Sequence, residues 1–190
     1  MMFDMEPEEV DMKFFYLMLF LILIGLPYRA NAGGVPATAF YQVGNWQLLG
    51  AESHYLDLGL GVFDATENNH GSAAGAARLE LRVGKKLGFV GPAIGLLATT
   101  DGGWFGYGGL YADIVYKNLV ITPMLSMGGY EEGDGKDLGG TLEFRSVLGL
   151  SWQFANRARL GLQISHISNA DMHDKNPGAE DFLLTLAWPF

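Results

Sequence analysis

Residues Tyr55–Phe63 read Tyr-Leu-Asp-Leu-Gly-Leu-Gly-Val-Phe, with an apolar side chain at every second position. Leu56, Leu58, Leu60 and Val62 lie on one face of an extended chain, and the other face carries an aspartate and two glycines. A period of two residues predicts a β-strand with one apolar face.

The same alternation recurs in residues 78–83, 110–114, 142–153 and 159–164, where the second face carries charged or small residues. Turn-forming residues separate these segments from one another. Together the two signals predict eight strands, at residues 53–64, 74–84, 87–98, 103–117, 119–131, 138–153, 157–167 and 179–190.

The connections between these strands alternate in length. Three are short, at residues 85–86, 117–118 and 154–156, and the intervening ones, such as residues 64–73 and 168–178, are mostly longer, polar or glycine-rich. Short turns at one end and long loops at the other are typical of bacterial outer-membrane barrels. A closed barrel also satisfies every backbone hydrogen bond in lipid. The prediction is therefore an all-β fold, an eight-stranded antiparallel transmembrane barrel formed by residues 53–190.

A soluble sandwich or a lipocalin-like barrel is the alternative, because alternation alone does not say which face points inward. In a membrane barrel, Arg78, Glu80, Arg82, Glu143 and Arg145 would have to pair inside a narrow lumen. The composition favours the membrane: 190 residues are 49% hydrophobic and only 17% charged, with 27 glycines. A formal charge of −9 disfavours nucleic acid as a partner.

The N-terminus predicts export. Lys13 precedes an apolar run at residues 14–26, and the small-x-small sequence Ala-Asn-Ala at residues 30–32 suits signal peptidase. Residues 1–32 are thus interpreted as a signal peptide, with a true start at Met12 because residues 1–11 are acidic. An N-terminal anchor helix is the alternative. Residues 33–52 form a separate segment whose role stays open: a strand, a periplasmic segment or an aromatic belt.

Candidate catalytic residues cluster in the last hairpin. His166 and Ser168 continue the apolar, outward series of one strand, and Glu180 begins the outward series of the next. The hairpin should bring the three side chains together on the outer wall near the long-loop end. A serine, a histidine base and a carboxylate that orients the base are the usual arrangement for acyl transfer.

The residues His166-x-Ser168-Asn169-Ala170, followed by Asn176, Gly178 and Glu180, resemble the lipid A 3-O-deacylases of the PagL type. The resemblance implies an outer-membrane esterase that hydrolyses an ester-linked acyl chain of lipopolysaccharide lipid A. It implies Ser168 as nucleophile, His166 as general base and Glu180 as its orienting partner. It also suggests Asn169 and Asn176 as oxyanion or substrate-positioning groups, and it requires neither metal nor cofactor.

Other functions remain open at this point. The same barrel could be a structural or adhesin-like protein with an inert triad, or it could transfer a palmitoyl chain to an acceptor other than water. A metal site would draw on the acids and histidines of the last loop, namely His166, Asp171, His173, Asp174 and Glu180. The sequence is compatible with a homodimer and does not say which acyl position is cleaved.

Overall fold

A computed structural model describes residues 37–65 and 73–190, so the interpreted signal peptide lies outside the described residues. The described chain is built of strands: β1 Ala39–Val43, β2 Trp46–Leu49, β3 Tyr55–Phe63, β4 Ala74–Arg82, β5 Gly91–Thr99, β6 Trp104–Tyr111, β7 Ile114–Tyr116, β8 Leu119–Glu131, β9 Leu142–Gln153, β10 Arg159–Ser168 and β11 Ala179–Pro189. Within these two ranges no helix is both long and apolar enough to cross a membrane.

Eight of these strands close into an antiparallel barrel. The ring runs β3, β4, β5, β6, β8, β9, β10 and β11, and β11 pairs back onto β3 with Leu184 opposite Leu60. The predicted eight-stranded barrel is confirmed. Closure leaves no strand edge exposed within the ring, which is what a hydrocarbon environment demands.

The register of the ring is staggered. A row of directly paired residues that starts at Val120 on β8 returns to the same strand at Tyr130, ten residues further along. Between these two positions the row passes through Ser151, Gly161, Thr185, Gly59, Arg78, Leu97 and Phe105. A stagger of this kind goes with strands tilted by about 35–45° to the barrel axis. A row of paired residues therefore descends from the long-loop end as it passes from β10 through β9 and β8 to β6.

The interior of the barrel holds paired charged side chains beside a cluster of buried apolar ones. Arg78 contacts Asp57 at 2.5 Å and Glu80 at 2.9 Å, and Arg82 contacts the same two carboxylates at 2.6 and 2.7 Å. Arg145 binds Asp181 at 3.0 Å. The prediction that the charged face points inward is confirmed, since Arg78, Glu80, Arg82, Glu143 and Arg145 are all buried. Pairing offsets the cost of burying four of these charges, whereas Glu143 makes no ion pair among the described residues.

One predicted strand, at residues 103–117, is described as two, β6 and β7. Tyr111 pairs with Met124 and Ile114 pairs with Ile121, so the register is unchanged across the gap. The interruption lies opposite Pro123, which accepts a hydrogen bond from Ala112 N–H but has no N–H to donate. The chain keeps the direction of the strand across this gap but lacks part of the hydrogen-bond ladder with β8.

Residues 39–49 form a hairpin at the short-turn end. Its second strand, β2, pairs with β7, with Gln47 opposite Val115. The chain then inserts Glu52 into the end of the barrel, where the carboxylate contacts Lys86 at 2.6 Å and Arg159 at 2.7 Å. Burial, followed by the nearby Asp113 carboxylate, raises the pKa of Glu52 to about 7, against the opposing effect of the two cations.

The first short turn is longer than the sequence suggested. The predicted two-residue connection at Lys85 and Lys86 occupies residues 83–90, since β4 ends at Arg82 and β5 begins at Gly91. Within these residues Leu87 and Val90 pair with each other around a tight turn. The buried ammonium group of Lys86 points inward to Glu52 and Asp113.

Candidate active site

His166 and Glu180 are direct cross-strand partners on β10 and β11. Their side chains meet on the outer wall, with Nδ1 of His166 3.0 Å from Oε1 of Glu180. The neighbours of each along the strand, such as Ile167 and Asp181, are buried inside the barrel. With Nδ1–H donating to the carboxylate, Nε2 is left free to accept a proton.

Ser168 is the last residue of β10 and shares the outward face of His166. The two residues are two positions apart, so their Cα atoms are roughly 6.6 Å apart along the strand. Ser168 is partly exposed, and within the described chain it makes no hydrogen bond to His166. The structure therefore brings His166 and Glu180 into contact and places Ser168 beside them, without a hydrogen bond between Ser168 and His166. Catalytic hydrogen bonds are often open in the absence of substrate.

Asn169 and Asn176 organise the loop that joins β10 to β11. The fully buried Asn169 donates from Nδ2 to the carbonyls of Leu138 at 2.8 Å and Lys175 at 2.7 Å. Oδ1 of Asn176 accepts from the Asn169 backbone N–H at 3.0 Å, and its Nδ2 donates to Asp171 at 2.8 Å. The two amides hold the β10–β11 loop together, and Asn169 also ties it to Leu138 in the loop between β8 and β9.

The loop between β8 and β9 packs against this same loop. Asp137 accepts a hydrogen bond from the Gly139 N–H at 2.7 Å and contacts Lys175 at 3.1 Å. The Gly139 N–H, and then Lys175, lower the pKa of Asp137 from its ordinary value. The two loops thus form one layer above the outer end of the barrel.

Gly178 is a residue whose role the sequence did not reveal. Its φ of +67° belongs to the left-handed region, and a Cβ built on it would lie 2.7 Å from Cε1 of His166. The sequence offered Gly178 only as part of a resemblance, and glycine before a strand has many structural uses. Only the packing shows that this glycine makes room for the imidazole.

A shallow apolar depression opens beside His166 on the outer wall. Ser146, Leu148, Ile164 and Phe182 line it next to the His166–Glu180 pair, and it has a volume of about 320 Å³. Ser146 pairs directly with His166 across β9 and β10, and its small side chain leaves the space open. We call this depression the Ser146 groove.

The acids and histidines of the loop do not assemble into a cluster. Within residues 37–65 and 73–190, no group of three or more histidine, aspartate or glutamate side chains is arranged to hold a metal ion. Asp171 is engaged by Asn176, and the His173 ring packs so close to Gly140 that a side chain there would overlap it. The positions of these side chains therefore provide no set of ligands for the metal site that the sequence had left as an alternative.

Three solved structures similar to this chain are transmembrane or outer-membrane proteins. The crystal structure of the outer membrane enzyme PagL is 18% identical, covers 72% of this chain and 99% of its own, and superimposes with a TM-score of 0.56, which shows the fold. A de novo designed transmembrane β-barrel gives 12% identity over 73% of this chain and 95% of its own, with a TM-score of 0.48. The Yersinia pestis outer membrane protein Ail gives 12% identity, 73% and 99% coverage and a TM-score of 0.41.

No curated protein matches the chain. The family model described as lipid A 3-O-deacylase (PagL) matches residues 26–189, which is most of the sequence and includes every candidate catalytic residue. The chain therefore belongs to the PagL family of lipid A deacylases, as its last hairpin had suggested.

Proposed function

We propose that this protein hydrolyses the ester-linked 3-O-acyl chain of lipid A through a Ser168–His166–Glu180 triad on the outer wall of its barrel. Membership of the PagL family makes it an outer-membrane lipid A deacylase. The observation that carries the finer proposal is the 3.0 Å contact between His166 and Glu180, with Ser168 on the same outward face.

The arrangement of the triad supports a two-step acyl transfer. His166 Nε2 removes the proton of Ser168 while the hydroxyl oxygen attacks the ester carbonyl. The tetrahedral intermediate collapses to an acyl-serine, and the sugar oxygen leaves with the proton from His166. A water molecule, deprotonated by the same histidine, then attacks the acyl-serine, and the fatty acid is released as His166 returns the proton to the Ser168 oxygen. Glu180 holds the imidazole in place and stabilises its charged form.

The position of the triad supports access from the membrane. His166 and Glu180 face outward at the end of the barrel that carries the long loops, where hydrocarbon gives way to headgroups. An ester lies at this boundary in a lipid, so the substrate reaches Ser168 by lateral diffusion. The acyl chain to be cleaved lies in the Ser146 groove. No cofactor takes part, and residues 1–32 direct export.

The test is mass spectrometry of lipopolysaccharide incubated with the purified protein. The wild type should release one hydroxyacyl chain from the 3-position, whereas Ser168→Ala and His166→Ala should each lose most turnover. The double variant should be about as inactive as either single one, because triad residues act as a unit. Ser151→Ala, at the other end of the barrel, is the control.

Other outcomes point to the alternatives. A Ser168→Ala variant with full activity would exclude the serine mechanism. Loss of activity with a chelator that added zinc restores would favour a metal site. Acyl transfer to a second lipid rather than to water would indicate a transferase. A wild type without activity would favour a structural role for the barrel.

A further inference from the structure

Glu143 is a fully buried acid near the long-loop end of the lumen, and its surroundings differ from those of other buried acids. Asp57, Glu80 and Asp181 each contact an arginine at 3.0 Å or less. Glu143 makes no ion pair among the described residues, and neither of its carboxyl oxygens has an aligned hydrogen-bond donor there. An isolated ionised carboxylate is far more costly to bury than a protonated carboxyl group.

Two polar neighbours of Glu143 are bonded to other groups. Arg145, two positions along β9 on the same inward face, donates from Nε and Nη2 to Asp181 at 3.2 and 3.1 Å. Tyr130 on β8 donates its hydroxyl proton to the carbonyl of Lys136 at 2.8 Å. Nη1 of Arg145 has no aligned partner within the described chain, which makes Arg145 the alternative partner of an ionised Glu143.

Asn169 is the neighbour of Glu143 across β9 and β10. Ser168 pairs with Phe144, so the residue after Ser168 comes opposite Glu143 in the same antiparallel register. Both side chains are fully buried, and they come within hydrogen-bonding range of each other. Oδ1 of Asn169 has no donor among the described residues, while Nδ2 of the same amide donates to two loop carbonyls. Two groups that lack a donor are therefore neighbours in the interior.

A single proton satisfies both groups. A protonated carboxyl group donates through its hydroxyl, and the oxygen of a carboxamide accepts. We propose that Glu143 is a positioning residue whose carboxyl group is uncharged and donates a hydrogen bond to Oδ1 of Asn169. The proposal rests on the proposed function, since it concerns how the nucleophile Ser168 is held.

Asn169 controls how the chain leaves β10 after Ser168. Its backbone N–H donates to Oδ1 of Asn176 at 3.0 Å, and the next two residues, 170–171, have positive φ values of 53° and 61°. Residues other than glycine keep such a conformation only where the surrounding contacts impose it. The hydrogen bond from Glu143 holds the Asn169 side chain from inside the barrel, and so fixes the position from which the Ser168 hydroxyl attacks.

A matched pair of variants tests the proposal. Glu143→Gln keeps the length of the side chain and an N–H donor for Asn169, whereas Glu143→Met keeps the approximate volume and removes the donor. In the release of fatty acid from lipid A, Glu143→Gln should stay within about threefold of the wild-type kcat and Glu143→Met should lose roughly 10- to 100-fold. KM should change little, because the Ser146 groove is untouched. Heat-modifiable gel migration checks that each barrel is folded.

The dependence on Asn169 is tested in the Asn169→Ala background. If Glu143 acts through Asn169, adding Glu143→Met to that background should cost no further activity, since the two residues then belong to one interaction. Three outcomes would overturn the proposal: a folded Glu143→Met variant with the wild-type kcat, a Glu143→Gln variant as slow as Glu143→Met, and a fully additive loss in the double variant.

An infrared measurement separates this proposal from the proposed function, because it needs no turnover. A protonated carboxyl group has a carbonyl stretching band that an ionised carboxylate lacks. The difference spectrum between the wild type and Glu143→Gln at neutral pH should contain that band, even if the protein hydrolyses no lipid or Glu143→Met does not fold. Glu80→Gln, which removes a carboxylate paired with Arg78 and Arg82, is the control and should show carboxylate bands instead. Carboxylate bands from Glu143 would mean an ionised side chain beside Arg145 and would overturn the proposal even in an active enzyme.

Discussion

Gly178 lies against the Cε1 edge of the His166 imidazole, so closely that a methyl group at this position would come within 2.7 Å of the ring carbon. The glycine is two residues before Glu180 and directly precedes β11, the strand that carries Glu180. The ring is thus confined on two sides, by the carboxylate at Nδ1 and by the backbone of Gly178. These two contacts fix where Nε2 can point.

Replacement of Gly178 by alanine should disable the enzyme without unfolding the barrel. The new methyl group would push the imidazole from its place, and a displacement of about 1 Å can cost roughly 100-fold in kcat. Gly102→Ala is the matched control, because Gly102 also has a positive φ, +85°, but has open space around its Cβ position. Equal kcat losses in the two variants would show that backbone strain, and not contact with His166, is responsible.

Replacement of Glu180 by alanine should reduce kcat and leave a measurable remainder. The nucleophile and base stay in place, but the imidazole loses the group that orients it and stabilises its charge. We expect activity clearly above that of Ser168→Ala, measured as release of fatty acid from lipid A. Glu131→Ala, which removes an exposed carboxylate at the same end of the barrel, controls for surface charge. A Glu180→Ala variant with wild-type kcat would contradict the triad.

The orientation of the wall predicts a labelling pattern. Single cysteines at Leu162 and Leu184, which face outward, should react with a lipid-phase probe when the protein is in vesicles. Cysteines at Arg159 and Thr185, which are buried in the lumen, should not react. The readout is the labelled fraction of each folded variant, and the reverse pattern would mean that the apolar face fills the interior of a soluble barrel.

The ion cluster around Glu52 predicts a pH dependence of stability. The folded state raises the pKa of Glu52 from 4.5 to about 7, so folding is favoured below pH 4.5 and that contribution is lost as the pH rises through 7. Although burial opposes it, the Arg159 guanidinium holds the pKa of Asp113 well below its ordinary value, so Asp113 stays ionised across this window. The urea midpoint of unfolding should therefore be higher at pH 5 than at pH 8.

Glu52→Gln isolates this effect because it removes the titrating group and keeps the size of the side chain. The difference between the midpoints at pH 5 and pH 8 should shrink in the variant relative to the wild type. An identical difference in both proteins would assign the pH dependence to other groups. Lipid A hydrolysis should be unaffected at fixed pH, because Glu52 is at the opposite end of the barrel from His166.

The strand pattern and the last hairpin could be predicted from the sequence because each depends on local order, whereas the inward direction of the charged face had to be inferred from the composition and the loop lengths. Alternation along Tyr55–Phe63 defines two faces whatever the neighbours are, and a single closed ring is the way to pair eight such strands in lipid. The shared outward direction of His166, Ser168 and Glu180 could be predicted from their positions along the two strands, since every second side chain of a strand points to the same face.

Tertiary structure alone decided the features that depend on residues distant in the chain. The interruption opposite Pro123 can be located only from the register between β6 and β8. The insertion of Glu52 can be seen only once the fold brings Lys86 and Arg159 together from two other segments. The space left by Gly178 for His166 has the same origin. Contacts of this kind depend on where separate strands and loops meet in the folded barrel, which no local pattern of residues encodes.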